Sequence, residues 1–158
     1  MKAKNIGYAA GAFDLFHIGH LNLLRHARSH CDYLIAGVVS DELCQLTKGS
    51  TPMIPLAERL EIVGSINCVD RAVAEVVPDK LQTWEQLGFN VFFKGDDWRG
   101  TSKGRLLERR FAAVGVEVVY FPYTIHTSST GLRRALSALS SRSPSDSGIA
   151  ASATIGGS

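Results

Sequence analysis

With 158 residues, 45% of them hydrophobic, the chain can bury one core without disulfide staples and is expected to form a single folded unit. Seventeen basic and fifteen acidic side chains leave a net charge of +2, too balanced to steer the whole molecule onto nucleic acid or a membrane, so any phosphate site must be local. Cys31, Cys44 and Cys68 lack the close pairing of zinc or redox motifs and read as free thiols in a reducing cytoplasm. Met1-Lys2-Ala3-Lys4 runs straight into an apolar segment with no leader pattern, and no stretch reaches membrane-spanning length, so a soluble cytoplasmic protein is expected.

Ile6 to Phe13 is apolar and glycine-containing, a strand running into a turn. Ile18, Leu21, Leu24 and Ala27 then recur at helical spacing, which predicts a helix from Ile18 to His30. Tyr33 to Val39 is a continuous apolar run, the pattern of a strand covered on both faces, and completes a βαβ unit. Lys48 to Pro55, with two prolines and a glycine, reads as a loop, and a helix from Leu56 to Asn67 follows. The alternation continues with a strand at Ala72 to Val77, a helix at Leu81 to Leu87 and a strand at Phe89 to Gly95. A helix at Gly104 to Val114, a strand at Val116 to Phe121 and a last helix at Thr130 to Leu139 close the series. This order implies a Rossmann-like three-layer α/β sandwich around a parallel sheet, occupying residues 1–139. From Ser140 the Ser/Ala/Gly-rich sequence cannot offset its ordering entropy, and 140–158 is expected to be a disordered tail.

In open parallel sheets ligands lie beyond the carboxyl ends of the strands, where a helix N-terminus offers free N–H groups to an anion. Gly11-Ala12-Phe13-Asp14-Leu15-Phe16-His17-Ile18-Gly19-His20 occupies that place after the first strand. It sets two imidazoles on one face of the first helical turn, a pocket for a polyphosphate. Nucleotidyl transfer needs little covalent help from a protein, because its barrier lies in charge building on the α-phosphate and the departing pyrophosphate. Two imidazole N–H donors can stabilise that charge. Asp14 could hold one ring in the right tautomer or help bind magnesium, and Gly19 leaves the nucleotide room to approach the helix backbone. His26 and His30 are also helically spaced, with nothing to support a metal site.

The string Gly-x-Phe-Asp-x-x-His-x-Gly-His resembles the signature of the HxGH nucleotidylyltransferases, specifically the branch of glycerol-3-phosphate cytidylyltransferases. The likeness extends over roughly residues 6 to 136 and includes Asp41-Glu42, Glu58-Arg59, Val69-Asp70, Gly95-Asp96-Asp97-Trp98 and Thr127-Ser128-Ser129-Thr130. The resemblance implies transfer of CMP from CTP to a small phosphate monoester with release of pyrophosphate, a divalent ion such as Mg2+ held through the triphosphate, and a homodimer. It implies catalytic roles for His17, His20 and Lys48, and nucleotide contacts from Gly11 to Asp14, Gly19, Arg59, the Gly95–Trp98 tetrad and Tyr123, Thr124 and Thr127 to Thr130. Lys48, Lys80 and His126 are left to receive the acceptor.

The sequence departs from the family's pattern where Tyr123 replaces a common arginine, where His126 replaces glycine, and near Leu87, where a lysine for the acceptor phosphate is replaced. Glycerol 3-phosphate, with a role in teichoic-acid-like or capsular polymer synthesis, is the leading expectation. Ethanolamine phosphate, a sugar phosphate with ATP, and a non-catalytic nucleotide-binding module are the alternatives.

Overall fold

The structure is a computed structural model that describes residues 3–122 and 128–141. Strands β1 (Ile6–Gly11), β2 (Tyr33–Val39), β3 (Arg71–Glu75), β4 (Val91–Gly95) and β5 (Glu117–Phe121) form one sheet in the order β3-β2-β1-β4-β5. All four pairings are parallel, so each connection must cross over the sheet and covers it with a helix. The helices are α1 (Ile18–Ser29), α2 (Asp41–Lys48), α3 (Leu56–Gly64), α4 (Lys80–Leu87), α5 (Ser102–Ala112) and α6 (Ser129–Ser140). The expected three-layer architecture is the observed one.

Alternation along each strand divides the core between the two faces. On one face Ala9, Leu34, Ala36 and Phe93 meet Leu24 and Ala27 of α1 and Val63 of α3. On the other, Tyr8, Ile35 and Phe92 meet Leu107 and Phe111 of α5, with Leu81 and Trp84 of α4 packed alongside. Tyr8 stacks on Phe89 with ring centroids 4.8 Å apart. Its ring reaches over β2, where Gly37 is required because a Cβ would fall on the Tyr8 hydroxyl.

β1 leads to β2 on one side, and the chain returns to lay β4 on the other. This reversal opens a crevice between the carboxyl ends of β1 and β4, the place where open α/β sheets bind ligands. Among the described residues no helix is long and apolar enough to cross a membrane.

The structure differs from the sequence expectations chiefly at α2. Lys48, expected in a loop, is the last residue of this helix, which is started by the Ser40 side chain accepting from Leu43 N–H and stopped by Gly49 in the left-handed region at φ 72°. Eight residues with only Leu43 and Cys44 buried carry too short a repeat to read as helical. β4 starts at Val91 rather than Phe89, because the Asn90 side chain turns to accept from the Ile6 N–H at 2.9 Å. α5 starts at Ser102, before the expected Gly104, capped by Thr101. α6 includes Ser140, one residue past the expected boundary, and the rest of the expected tail, 142–158, lies outside the described residues.

Candidate active site

Between β1 and α1 the backbone turns through Phe13 at φ 52° and Leu15 at φ 49°. Side chains there are uncommon, and each such residue costs on the order of 1–3 kcal/mol unless its surroundings hold it. Those surroundings centre on Asp14, which lies between the two and is 1% exposed. Its carboxylate accepts from Met53 N–H and Ile54 N–H, both at 2.9 Å, and from Arg133 of α6 at 2.7 Å. Burial pushes the Asp14 carboxyl up, but the two N–H groups and the guanidinium outweigh it and hold it below the usual carboxylate range. The Ser129 hydroxyl donates to the Asp14 carbonyl at 2.6 Å, so the first turn of α6 docks against the turn that carries His17.

Asp14 therefore staples three segments together and makes no hydrogen bond to either histidine. The tautomers are fixed by backbone instead. His17 is the N-cap of α1, and its Nδ1 accepts from Gly19 N–H at 3.0 Å. His20 Nδ1 accepts from His17 N–H at 3.2 Å, closing a reciprocal capping box made of two imidazoles. With each Nδ1 accepting, each neutral ring carries its proton on Nε2, away from the helix backbone. The rings stack with centroids 4.0 Å apart, and the edge of His20 rests against Phe13 and Phe16. Burial lowers the pKa of both, and for His20, with help from His17 and Lys48, to about 4. At neutral pH the pair is an uncharged two-donor surface at a helix N-terminus.

Cations stand around it. Lys48, exposed at the end of α2, lies close enough to help depress the His20 pKa. Arg59 is different: it is 1% exposed, and its guanidinium donates to the carbonyls of Ile54, Ala12 and Val39, each at 2.7 Å, and to Asp41 at 2.5 Å. These bonds tie the ends of β1 and β2 to α2 and α3 from beneath. Arg59 is thus a bracket under the site, and the expectation that it touches the nucleotide is corrected by its burial. Gly95, Asp96, Asp97 and Trp98 leave β4 as a single 3-10 turn across the crevice from His17. Trp98 packs toward the α4 and α5 side of the sheet, with Lys94 Nζ 4.0 Å from its ring centroid. Ser128 caps α6, accepting from Gly131 N–H at 3.0 Å, and Thr130 is exposed beside it. Lys80 opens α4 and pairs with Glu75 at 2.5 Å. Tyr123, Thr124, His126 and Thr127 lie outside the described residues.

Sequence reasoning missed Lys94 and Arg133. Lys94 closes a buried strand next to Gly95, so the rule that drew attention to the tetrad reaches it one residue earlier. Nothing local marks Arg133, whose partner Asp14 is 119 positions away. No group of three metal-ligating side chains occurs among the described residues. With its oxygens committed to Met53, Ile54 and Arg133, Asp14 does not fit as a seat for magnesium.

The sequence profile described as cytidylyltransferase-like matches residues 8–135. A glycerol-3-phosphate cytidylyltransferase from Bacillus spizizenii is 34% identical over 136 residues, covering 82% of this chain and 95% of that protein. The bifunctional protein HldE of Hydrogenovibrio crunogenus is 37% identical over 101 residues, 62% of this chain; the match spans only 21% of that longer protein. Among solved structures, the lipopolysaccharide core biosynthesis protein of Thermoplasma volcanium superposes with a TM-score of 0.66 at 22% identity, over 79% of this chain and 100% of that one. Pantoate-beta-alanine ligase from Francisella tularensis gives 0.61 at 15% identity, over 85% and 70% of the respective chains. These two share the fold. The chain belongs to the cytidylyltransferase-like family.

Proposed function

We propose that this member of the cytidylyltransferase-like family transfers CMP from CTP to a small phosphorylated alcohol, with sn-glycerol 3-phosphate first among acceptors. An acceptor phosphate oxygen attacks the α-phosphorus, the bond from that phosphorus to the bridging oxygen of the β-phosphate breaks, and pyrophosphate leaves with the electron pair. A CDP-alcohol results. The observation that carries the reading is the pair of imidazoles locked by their Nδ1 atoms, which leaves two Nε2–H donors at the N-terminus of α1. Because the rings are already oriented, they stabilise the developing charge with no reorganisation at the moment of reaction. The N-terminus of α6, docked through Ser129, and Lys48 supply further donors and charge for the triphosphate.

Neutral imidazoles suit this role, since they donate without holding pyrophosphate so tightly that release becomes slow. Magnesium enters as the counter-ion that CTP carries in solution. The 34% identity along nearly the full length of the Bacillus relative favours the glycerol acceptor. A homodimer in the cytoplasm belongs to the same reading and is checked by sedimentation.

The test incubates the purified protein with CTP or ATP and a panel of glycerol 3-phosphate, ethanolamine phosphate and sugar phosphates, and measures pyrophosphate. Release with CTP and glycerol 3-phosphate is expected. Release only with ATP, or only with a sugar phosphate, would replace the acceptor or nucleotide assignment. CTP binding without turnover on any acceptor would make the chain a nucleotide-binding module.

A further inference from the structure

The α4 and α5 face of the sheet carries polar groups at its carboxyl edge that the histidine cradle does not use. Tyr8, Glu75 and Lys94 project to this face by strand alternation, since Tyr8, Val73 and Phe92 belong to its core. Glu75 is 2% exposed. Its carboxylate accepts from the Tyr8 hydroxyl at 2.7 Å on one oxygen and from Lys80 Nζ at 2.5 Å on the other. A buried carboxylate fixed on both oxygens holds the Lys80 ammonium at the rim, where a quarter of that side chain still meets solvent.

Lys94 stands on β4, which flanks β1 on the side away from the β3 strand that carries Glu75. β4 pairs directly with β1, Ala9 lying opposite Phe93, so Lys94 emerges beside the end of β1, where the chain turns toward His17. Among the described residues its ammonium forms no ion pair and rests over the Trp98 ring. Burial lowers its pKa, the nearby Asp97 and Glu75 carboxylates oppose that shift, and Lys80 and Lys48 lie near enough to add to it. A half-buried lysine that rests on an aromatic ring and pairs directly with no carboxylate among the described residues keeps its donors for an incoming dianion. Beside it a groove of about 500 Å³, with Lys80, Trp98, Lys103 and Arg110 in its walls, leads away along α4 and α5.

We propose that Lys94, together with the Lys80 ammonium anchored by Glu75, forms the subsite for the acceptor's phosphate group, on the opposite side of the β1/β4 crevice from the imidazoles, with the alcohol portion lying in the adjoining groove. The inference rests on the reading of the chain as a transferase acting on phosphate monoesters, and it adds Lys94 and the face of approach. The two lysines bring the acceptor oxygen to the α-phosphorus from the α4 and α5 side while the imidazoles hold the phosphates from the α1 side. This arrangement places nucleophile and leaving group on opposite sides of the crevice, as an in-line displacement needs.

Lys94→Met keeps the aliphatic stem on Trp98 and removes the charge. In the pyrophosphate assay with glycerol 3-phosphate it is expected to raise the acceptor KM by about 10- to 100-fold, the size of a charge-assisted hydrogen bond. The calorimetric Kd for CTP should stay within about 2-fold, which also reports an intact fold, and Lys94→Arg should restore most of the acceptor affinity. An unchanged acceptor KM, or a CTP Kd that rises as much as the acceptor KM, would overturn the assignment. Tryptophan fluorescence in a Trp84→Phe background, where Trp98 is the one emitting indole, gives a second readout that needs no turnover: titration with glycerol 3-phosphate should perturb it with Lys94 present and not in Lys94→Met. If the wild type releases no pyrophosphate with any acceptor, the transferase reading fails, while the fluorescence titration still decides whether Lys94 binds a phosphate monoester.

Discussion

The two sides of the crevice are built on different principles. On the α1 side the polar groups are committed to the protein: Asp14 to three segments, Arg59 to four acceptors, both Nδ1 atoms to backbone, leaving outward donors that are few and fixed. On the α4 side one buried carboxylate anchors one lysine, and Lys94 and Lys103 lie over an aromatic ring beside an open groove. On the proposed function, the rigid side receives the nucleotide's triphosphate. The looser side receives the acceptor.

If the α1 side is rigid because Arg59 braces it, removing that brace is the largest blow available. Arg59→Met leaves Asp41 without its partner and removes the guanidinium donors from the carbonyls of Ile54, Ala12 and Val39. Breaking a buried ion pair costs about 3–5 kcal/mol, and the lower end applies because the Asp41 side chain remains 33% exposed. Urea unfolding should therefore show a loss of about 3 kcal/mol. A loss below about 1 kcal/mol would mean the brace is incidental.

The histidines come next. His17→Ala and His20→Ala should each lower kcat by roughly 100-fold or more, the cost of one preorganised transition-state donor. Because these substitutions also open the capping box of α1, a thermal melt followed by circular dichroism separates loss of chemistry from loss of fold. The same side has a pH signature. His20 is expected to titrate near pH 4 by NMR, since its burial, His17 and Lys48 disfavour the proton. The unfolded chain takes up that proton at about pH 6.5. Stability contributed by keeping His20 neutral is thus fully present above about pH 6.5 and is lost as pH falls toward 4. An ordinary imidazole titration for His20 would show that the ring is not held as described.

The difference between the two sides also sets what could be read from sequence. His17 and His20 are close in the chain, and the turn that carries them is local, so strand, turn, helix and the direction of both rings follow from one short string. The same holds for Ser128, placed where a helix must start. Asp14 was legible as a site residue but not as a staple, because Met53 and Arg133 reach it from 39 and 119 positions away. Glu75 and Tyr8 meet only because β1, β2 and β3 lie side by side and Gly37 leaves a gap between them, a product of sheet order that no local pattern encodes. Helix α2 was hidden by its length, since eight residues give the helical period barely two turns.

The smallest expected effect probes the α4 side from behind. Thr83 of α4 is 5% exposed, and its Oγ1 is buried with no hydrogen-bond partner among the described residues. A polar atom so placed gives up water without replacement, whereas valine has the same branching and nearly the same volume. Thr83→Val should leave stability unchanged or raise it by up to about 1 kcal/mol, with no change in CTP affinity or acceptor KM. On the braced side the equivalent removal of one polar group strands several partners and costs stability; here it strands none. A clear loss of stability in Thr83→Val would reveal a partner for that hydroxyl, and α4 would then be held as firmly as α1.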